Sequence, residues 1–488
     1  MVWTDLRCGC SSLETAEPAK IDFPAVVGEA INGARTRKVL FLYALTAAGA
    51  FHVAWSFSVL NAFVLVYAWA LIKLSGAKSA SQSFRFGFFA GFLVFAPQLT
   101  WFWKIFGPMA ICLWAVLSFF TGVFAALLHV ARNKLGERFL WIIAPVLWTG
   151  IEFFRSELYA LRFSWFSVGY DFSGSGGLVP VGFLGVYGVG FLVFLIAAVC
   201  VGMTHLIKAV VLLAFIVCAN WPGKIGAETG TELVVAGVQL EFPPDLEVPK
   251  HLDRVIARYP GAQILVLSEY AFDGSVPKHV REWCRRNERY LIAGGKENVI
   301  EDGRNDFRNT AFVVGPTGEI VFAQCKSVPI QFFNDGLPAL DQRMWESPWG
   351  KIAIPICYDL SYRRVTDRFA AGGAEAFIVP FMDVADWGER QHRQHARIAP
   401  IRAREYGVPV FRLGSSGISQ HVDAHGRVLA ESHFPGEEEV FGGTLKLNGK
   451  GRLPLDHWIA PICSGLVAFG ITALLLNFLL QNSRTKAA

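Results

Sequence analysis

Seven long apolar stretches crowd the first half of this chain, at roughly 39–57, 58–72, 86–106, 108–131, 139–155, 183–204 and 206–221. A spanning α-helix needs about 20 apolar residues, and most of these runs approach that length, the second and fifth being marginal. Gly, Ala and Ser recur inside them, as close helix packing in lipid favours. An eighth run, Trp458–Leu480, precedes Arg484 and Lys486. Composition agrees: 53% of residues are hydrophobic and 17% charged, against about a quarter charged in soluble domains. The pattern predicts a polytopic membrane protein.

The net charge of +5 is mild, and its placement says more than its size. Lys and Arg gather before the first run (Arg35, Arg37, Lys38), at 73–85 (Lys73, Lys78, Arg85) and at 131–138 (Arg132, Lys134, Arg138). The alternate loops carry little beyond Lys104, Arg155 and Arg162. The positive-inside rule then makes residues 1–38 a poorly structured cytoplasmic tail and 39–222 a domain of about seven spans. Residues 231–446 fall on the opposite face, and 458–480 return the basic tail to the cytoplasm. No nucleic-acid partner is expected.

Residues 231–446 have the texture of an α/β domain. Short strand-like runs (233–240, 264–267, 290–293, 311–314, 320–323, 352–356, 376–381, 408–413) alternate with helical ones (249–259, 276–288, 389–406). Three of the strand-like runs end on chemistry. Ile264-Leu-Val-Leu-Ser-Glu269 ends on a carboxylate, Ile320-Val-Phe-Ala-Gln-Cys-Lys326 on an ammonium, and Ile352-Ala-Ile-Pro-Ile-Cys357 on a thiol. Ligands of α/β sheets gather at the carboxyl ends of strands. A thiol needs a base for its proton and a cation nearby. Cys357 therefore reads as nucleophile, Glu269 as general base and Lys326 as stabiliser of an oxyanion, with the Tyr358 N–H a second donor. Taken alone, Cys357 reads equally well as a small core residue.

Other candidates are weaker. The nine cysteines have no metal spacing; Cys8 and Cys10 are too close for a zinc pair, and the odd count leaves at least one thiol free. Pairing of Cys284 with Cys325 stays open. His392 and His395 are three apart and lack the Glu of a zincin motif, so no metal is expected; the charged run 390–405 reads as a solvated helix face or a packing surface. The loop Val328–Pro338, with Phe332 and Phe333, is either a binding surface or tucked under the sheet. Trp165 lies where aromatic interface anchors collect.

Ser268-Glu269, Cys325-Lys326 and Ile356-Cys-Tyr-Asp359 resemble the three signature segments of the carbon–nitrogen hydrolase (nitrilase) superfamily. That resemblance implies an αββα sandwich for the second unit. With the membrane setting, the chain is similar to the apolipoprotein N-acyltransferase family of the bacterial inner membrane. Ala144-Pro145 leading to Glu152 and Arg155, Phe163-Ser-Trp165, Val168-Gly-Tyr170, His392 to Arg402, Arg404-Glu405-Tyr-Gly407 and Ser416-Gly417 carry the likeness. It implies acyl transfer from a phospholipid, through a Cys357 thioester, to the amine of a diacylglyceryl-cysteine lipoprotein. On this reading Trp165 becomes a candidate lipid contact, alongside Phe332 and Phe333 of the aromatic loop as candidate substrate-binding residues; a monomer without cofactor is expected, its catalytic domain on the periplasmic side. Two positions depart from the family. Phe332 stands in the place of a second glutamate, leaving Asp335 as the nearest carboxylate to substitute, and Asp359 stands where Glu is usual. Asp335 and Asp359 join Tyr358 as candidates for an oxyanion or supporting role. The alternative is a membrane-anchored amidase or acyltransferase with another substrate.

Overall fold

Lipid-facing helices must satisfy their backbone groups internally, and the apolar runs do so as helices packed on one another. In the computed structural model, residues 23–174, 179–221, 230–436 and 438–487 are described. The first half holds α1 (Phe23–Ser56), α2 (Val64–Leu74), α3 (Ala80–Gln98), α4 (Trp101–Phe106), α5 (Met109–Leu135), α6 (Leu140–Phe153), α7 (Val181–Val199) and α8 (His205–Asn220). Five described helices, four here and one at the C-terminal end, are long and apolar enough to cross a membrane. Two further apolar helices, Ser58–Leu74 and His205–Asn220, are shorter.

Two expectations need correction. The tail expected to be irregular through residue 38 is helical from Phe23. Pro24 sits in the first turn, where a missing N–H does no harm, and helix-compatible residues follow; residues 1–22 lie outside the described residues. The run 86–106 is two helices, α3 and α4, the first carrying Pro97 one residue before its end at Gln98, since proline removes a helical donor.

Glycines let α3 and α5 touch. A Cβ on Gly87 would stand 2.8 Å from the Thr121 carbonyl oxygen, and one on Gly91 would stand 3.0 Å from Ser118 Cα. Without a hydrophobic drive between helices in lipid, such close backbone contact supplies the packing. A kink in α7 has a different cause. Gly185 takes φ +75°, and the Asp456 carboxylate fills the space its side chain would need. Asp456 Oδ2 accepts the Tyr187 N–H at 2.8 Å, a donor next to the kink.

The second half contains α9 (Val248–Arg258), α10 (Lys278–Asn287), α11 (Arg363–Ala371), α12 (Glu389–Ala396), α13 (Ile398–Tyr406) and the closing α14 (Asp456–Ala487). Its strands are β1 (Thr231–Val238), β2 (Ile264–Val266), β3 (Tyr290–Glu301), β4 (Arg304–Val314), β5 (Ile320–Cys325), β6 (Trp345–Ser347), β7 (Gly350–Ala353), β8 (Ala376–Pro380), β9 (Val410–Leu413), β10 (Gln420–Val422), β11 (Val428–Glu431) and β12 (Val440–Leu447). They form two six-stranded sheets, β12-β1-β2-β3-β4-β5 and β11-β10-β9-β8-β7-β6. β1, β2 and β3 run parallel, as do β7, β8 and β9; the flanking pairs are antiparallel.

Strand alternation assigns the two faces. Val235, Ile264, Val266 and Ile292 join one core with Ile352, Phe377 and Phe411 of the other sheet. Their neighbours Ala236, Leu265 and Leu291 pack instead under Leu252 of α9 and Val280 and Trp283 of α10. Phe369 of α11 and Ile401 of α13 belong to the first core. The result is the expected αββα sandwich beside a helical membrane domain. The helix run 389–406, whose charges read as either a solvated face or a packing surface, is mostly buried, with His395, Arg402 and Glu405 at most 3% exposed; its charges are paired internally, as described below.

Gly185→Ala is expected to destabilise the protein by about 2–4 kcal/mol, combining left-handed strain with overlap on Asp456. Thermal melts in detergent should show a clear loss, whereas Gly202→Ala, whose Cβ meets nothing within 4 Å, should melt near the parent.

Candidate active site

Each signature residue lies just beyond a strand. β2 leads to Glu269, β5 to Lys326 and β7 to Cys357, and all three side chains are at most 2% exposed. Cys357 opens a short 3-10 turn, Cys357–Ser361, and takes φ +49°, a left-handed conformation that non-glycine residues adopt only where surroundings enforce it.

The chemistry converges on Lys326. Its Nζ lies 2.8 Å from Glu269 Oε1 and 2.7 Å from Asp335 Oδ2. Asn309 Nδ2 donates to both carboxylates, at 2.6 and 2.9 Å. Asp335 also accepts from Tyr270 Oη at 2.7 Å and from the Ile330 N–H at 2.8 Å. The other oxygen of Glu269 accepts the Met382 N–H at 2.9 Å, and Cys357 Sγ donates to the carbonyl of the same residue, Met382, at 3.8 Å. Asp335, in the loop that Val328 opens, thus reaches the lysine despite its short side chain.

Burial dominates the electrostatics. It raises the Glu269 carboxyl, with Lys326 opposing and Asp335's charge adding. It also raises the Cys357 thiol, reinforced by Glu269 and opposed by Lys326, so the resting thiol is protonated. For Lys326 burial acts downward, yet Asp335 and Glu269 outweigh it and hold the ammonium. For Asp335 burial acts upward, but Lys326 and the hydrogen bonds keep the carboxylate below its ordinary value. The set therefore holds a thiol and a carboxylate ready to exchange a proton without changing the site's net charge.

Asp359 is held by backbone donors on both sides of the site. Its carboxylate accepts the N–H groups of Ser327 (3.0 Å), Val328 (2.7 Å) and Ile356 (3.2 Å), clasping the nucleophile's turn to the chain just after Lys326. Burial raises it to about 6, against those hydrogen bonds. Tyr358, its hydroxyl raised to about 12 by burial, lines the cavity described next and bonds the Arg162 carbonyl at 3.4 Å.

Cys357 opens into an apolar cleft whose walls are shared between the two halves. Trp101, Phe102 and Phe106 of α4 and Leu113 and Leu117 of α5 supply an apolar side. Trp165 is buried in it, donating to Ser361 Oγ at 3.0 Å and stacked on His395 with ring centroids 4.9 Å apart. Phe332 and Phe333, 65% and 40% exposed, form the rim and pack edge-on against Phe106 at 5.8 and 6.0 Å. Trp165, Phe332 and Phe333 thus meet Cys357 around one space.

Sequence reasoning missed Asn309, Tyr270, Asp383 and the role of His395. Asp383 lines the cavity and accepts from His395 Nδ1 (2.8 Å) and Gln391 Nε2 (2.9 Å). Burial would raise its carboxyl, but His395 and Arg412 hold it low. His392 bonds the carbonyls of Gly388 and Asp383. The one signal for Asn309 is its place across the β4–β5 hairpin, where its carbonyl takes the Lys326 N–H at 2.7 Å. Cys284 and Cys325 are free thiols.

A buried Glu–Lys–Cys set at the strand ends of an αββα sandwich defines a carbon–nitrogen hydrolase domain, and residues 237–452 match the carbon-nitrogen hydrolase family. Residues 42–199 match the apolipoprotein N-acyltransferase N-terminal domain. With both matches in one chain, the protein belongs to the apolipoprotein N-acyltransferase family. It is 22% identical to the apolipoprotein N-acyltransferase of Geobacter metallireducens, over 78% of this chain and 84% of that one. The corresponding figures for that of Shewanella oneidensis are 23%, 70% and 77%. Among solved structures, Saccharomyces cerevisiae Nit3, of the nitrilase superfamily, is similar over 46% of this chain and 92% of its own, with 21% identity and a TM-score of 0.39.

Because Glu269 must be ionised to accept the thiol proton, the rate of Cys357 acylation should fall as pH drops through a midpoint above the ordinary glutamate value of 4.5. Asp335→Asn should move that midpoint downward, having removed a charge that raises Glu269. Asp335→Ala should slow acylation by about 10²-fold, the scale of losing an oxyanion donor. Stopped-flow acylation with an activated ester, across pH, reads all three.

Proposed function

We propose that this protein transfers a fatty acyl group from a phospholipid, through a Cys357 thioester, to the N-terminal amine of a diacylglyceryl-cysteine lipoprotein. One observation carries the reading: the nucleophile opens into an apolar cavity half built by membrane helices. A lipid chain fits that space, and a soluble amide substrate has no need of it.

In the first half-reaction Glu269 takes the thiol proton and Cys357 sulfur attacks the ester carbonyl carbon. The oxyanion is met by the Lys326 ammonium and the Tyr358 N–H. The carbon–oxygen bond breaks, the leaving glycerol oxygen takes the proton from Glu269, and lysophospholipid departs. In the second, the acceptor amine gives a proton to Glu269 and attacks the thioester. The carbon–sulfur bond breaks and the thiolate recovers its proton. Asp335 stands in for the family's second glutamate by holding Lys326, and Trp165, Phe332 and Phe333 contact the acyl chain.

The distribution of Lys and Arg supports seven spans from 39 to 222, a catalytic domain at 231–446 on the periplasmic face and a closing span at 458–480. The reading takes the protein to act as a monomer.

Intact-protein mass spectrometry after incubation with phosphatidylethanolamine tests this. The expected result is a mass gain of one acyl group, absent in Cys357→Ala, removed by hydroxylamine and discharged by a diacylglyceryl-cysteine peptide. No adduct on folded enzyme would favour a membrane-anchored amidase instead.

A further inference from the structure

Beside the apolar cavity lies a second one, with a different lining. Arg162, Arg364 and Arg368 converge on it, with Ser327 and Gln342. Arg162 belongs to the walls of both cavities. The Arg162 and Arg364 guanidiniums lie over the same ring, that of Tyr362, at 5.6 and 5.8 Å. Among the described residues none of these three arginines has a carboxylate at ion-pair distance. Elsewhere the chain pairs its arginines readily, as with the neighbouring Arg363, which holds both Asp367 and Asp456. The acidic residue on this wall, Asp341, pairs with Arg343 at 3.4 Å. Arg162 Nε and Gln342 Oε1 are buried without hydrogen-bond partners. Burial lowers the Arg364 guanidinium and the like charge of Arg162 lowers it further, with the carboxylates of Glu157 and Asp359 opposing them.

Three guanidiniums with no carboxylate at ion-pair distance call for an anion with several oxygens. Phosphate meets that geometry through paired N–H···O contacts better than a carboxylate does. Depth agrees as well. Arg162 follows closely on the segment Glu137–Leu158, one of the helices long enough to span, and basic side chains at a span end meet lipid headgroups. We propose that this second cavity binds the phosphate of the glycerophospholipid donor while its acyl chain occupies the adjoining apolar cavity, with Arg162 at the seam. The inference rests on the acyl-transfer reading and adds to it a way to tell donor from acceptor. Both carry acylated glycerol, but only the donor carries a phosphate, so the arginines select which lipid loads Cys357.

The test uses full-length enzyme in nanodiscs. Acyl-enzyme formation is measured with phosphatidylglycerol, with phosphate-free diacylglycerol and with a small activated acyl ester. The expected result is that the parent prefers phosphatidylglycerol over diacylglycerol at least tenfold. Arg364→Gln/Arg368→Gln should reduce kcat/KM for phosphatidylglycerol, relative to the activated ester, by at least tenfold and mainly through KM. Inorganic phosphate should inhibit phosphatidylglycerol use by the parent and lose that effect in the double variant. Equal use of both lipids by the parent, or equal loss on lipid and ester in the variant, overturns the proposal. Inhibition by free phosphate without any preference between the lipids would mean an anion site unconnected with the donor, and also overturns it. Should no phospholipid acylate the enzyme, the transfer reading fails separately. Retention of phosphatidylglycerol in native mass spectrometry, parent against double variant, then decides the phosphate site by itself.

Discussion

One buried guanidinium joins the two halves of this molecule. Arg402 donates from Nε to the Leu360 carbonyl at 2.9 Å and from Nη2 to the Ser361 carbonyl and the Tyr170 hydroxyl, each at 2.8 Å. Its Nη1 pairs with Glu405, whose other oxygen accepts the Val186 N–H of α7 at 2.9 Å. A buried guanidinium is costly unless its donors are met, and removing one partner of such a pair destabilises by about 3–5 kcal/mol. The partners here belong to the nucleophile's turn, to a loop between membrane helices and to a membrane helix. The left-handed backbone of Cys357 is thus held from below by the sandwich and from the side by the membrane domain. Ser164 and Trp165 add to this by bonding Ser361 at 3.0 Å each.

The same logic runs through the charges of the site. A glutamate, an aspartate and a lysine in a dry pocket would each be unstable alone. Together they hold one another in useful states: the lysine charged, the aspartate ionised, the glutamate raised towards the range where it can accept a proton. Asp335 shows how a shorter acid can serve. Phe332, earlier in the same loop, takes φ +71° and points its ring to the rim, while the chain bends so that Asp335 meets Lys326 directly.

Much of this is legible in the sequence because the informative residues sit at strand ends. Apolar runs that stop on Glu269, Lys326 and Cys357 reveal the set, and hydrophobic length reveals the membrane helices. What stays hidden depends on contacts between distant segments. Asn309 is a mid-strand polar residue whose meaning comes only from its hairpin partner. The burial of His395, Arg402 and Glu405 cannot be read from a charged helix, since only neighbours on α7 and in the 163–170 loop turn that face inward. Asp359 adjoins Cys357 and reads as either an oxyanion or a supporting residue, and only its three backbone donors show which way its carboxylate turns. The strands β6, β10, β11 and β12 escape the periodicity, three of them being at most four residues long.

The aromatic wall contributed by the membrane half has a consequence for timing. On the acyl-transfer reading, a thioester on Cys357 would lie among Trp101, Phe102, Phe163 and Trp165, apolar walls that disfavour water, the nucleophile that would otherwise discharge it. On the acyl-transfer reading, phospholipid surrounds the enzyme at all times, while lipoprotein acceptors arrive singly. The enzyme then spends its idle periods loaded, each chain a reservoir of one acyl group. Its output follows the supply of newly made lipoproteins instead of the composition of the bilayer.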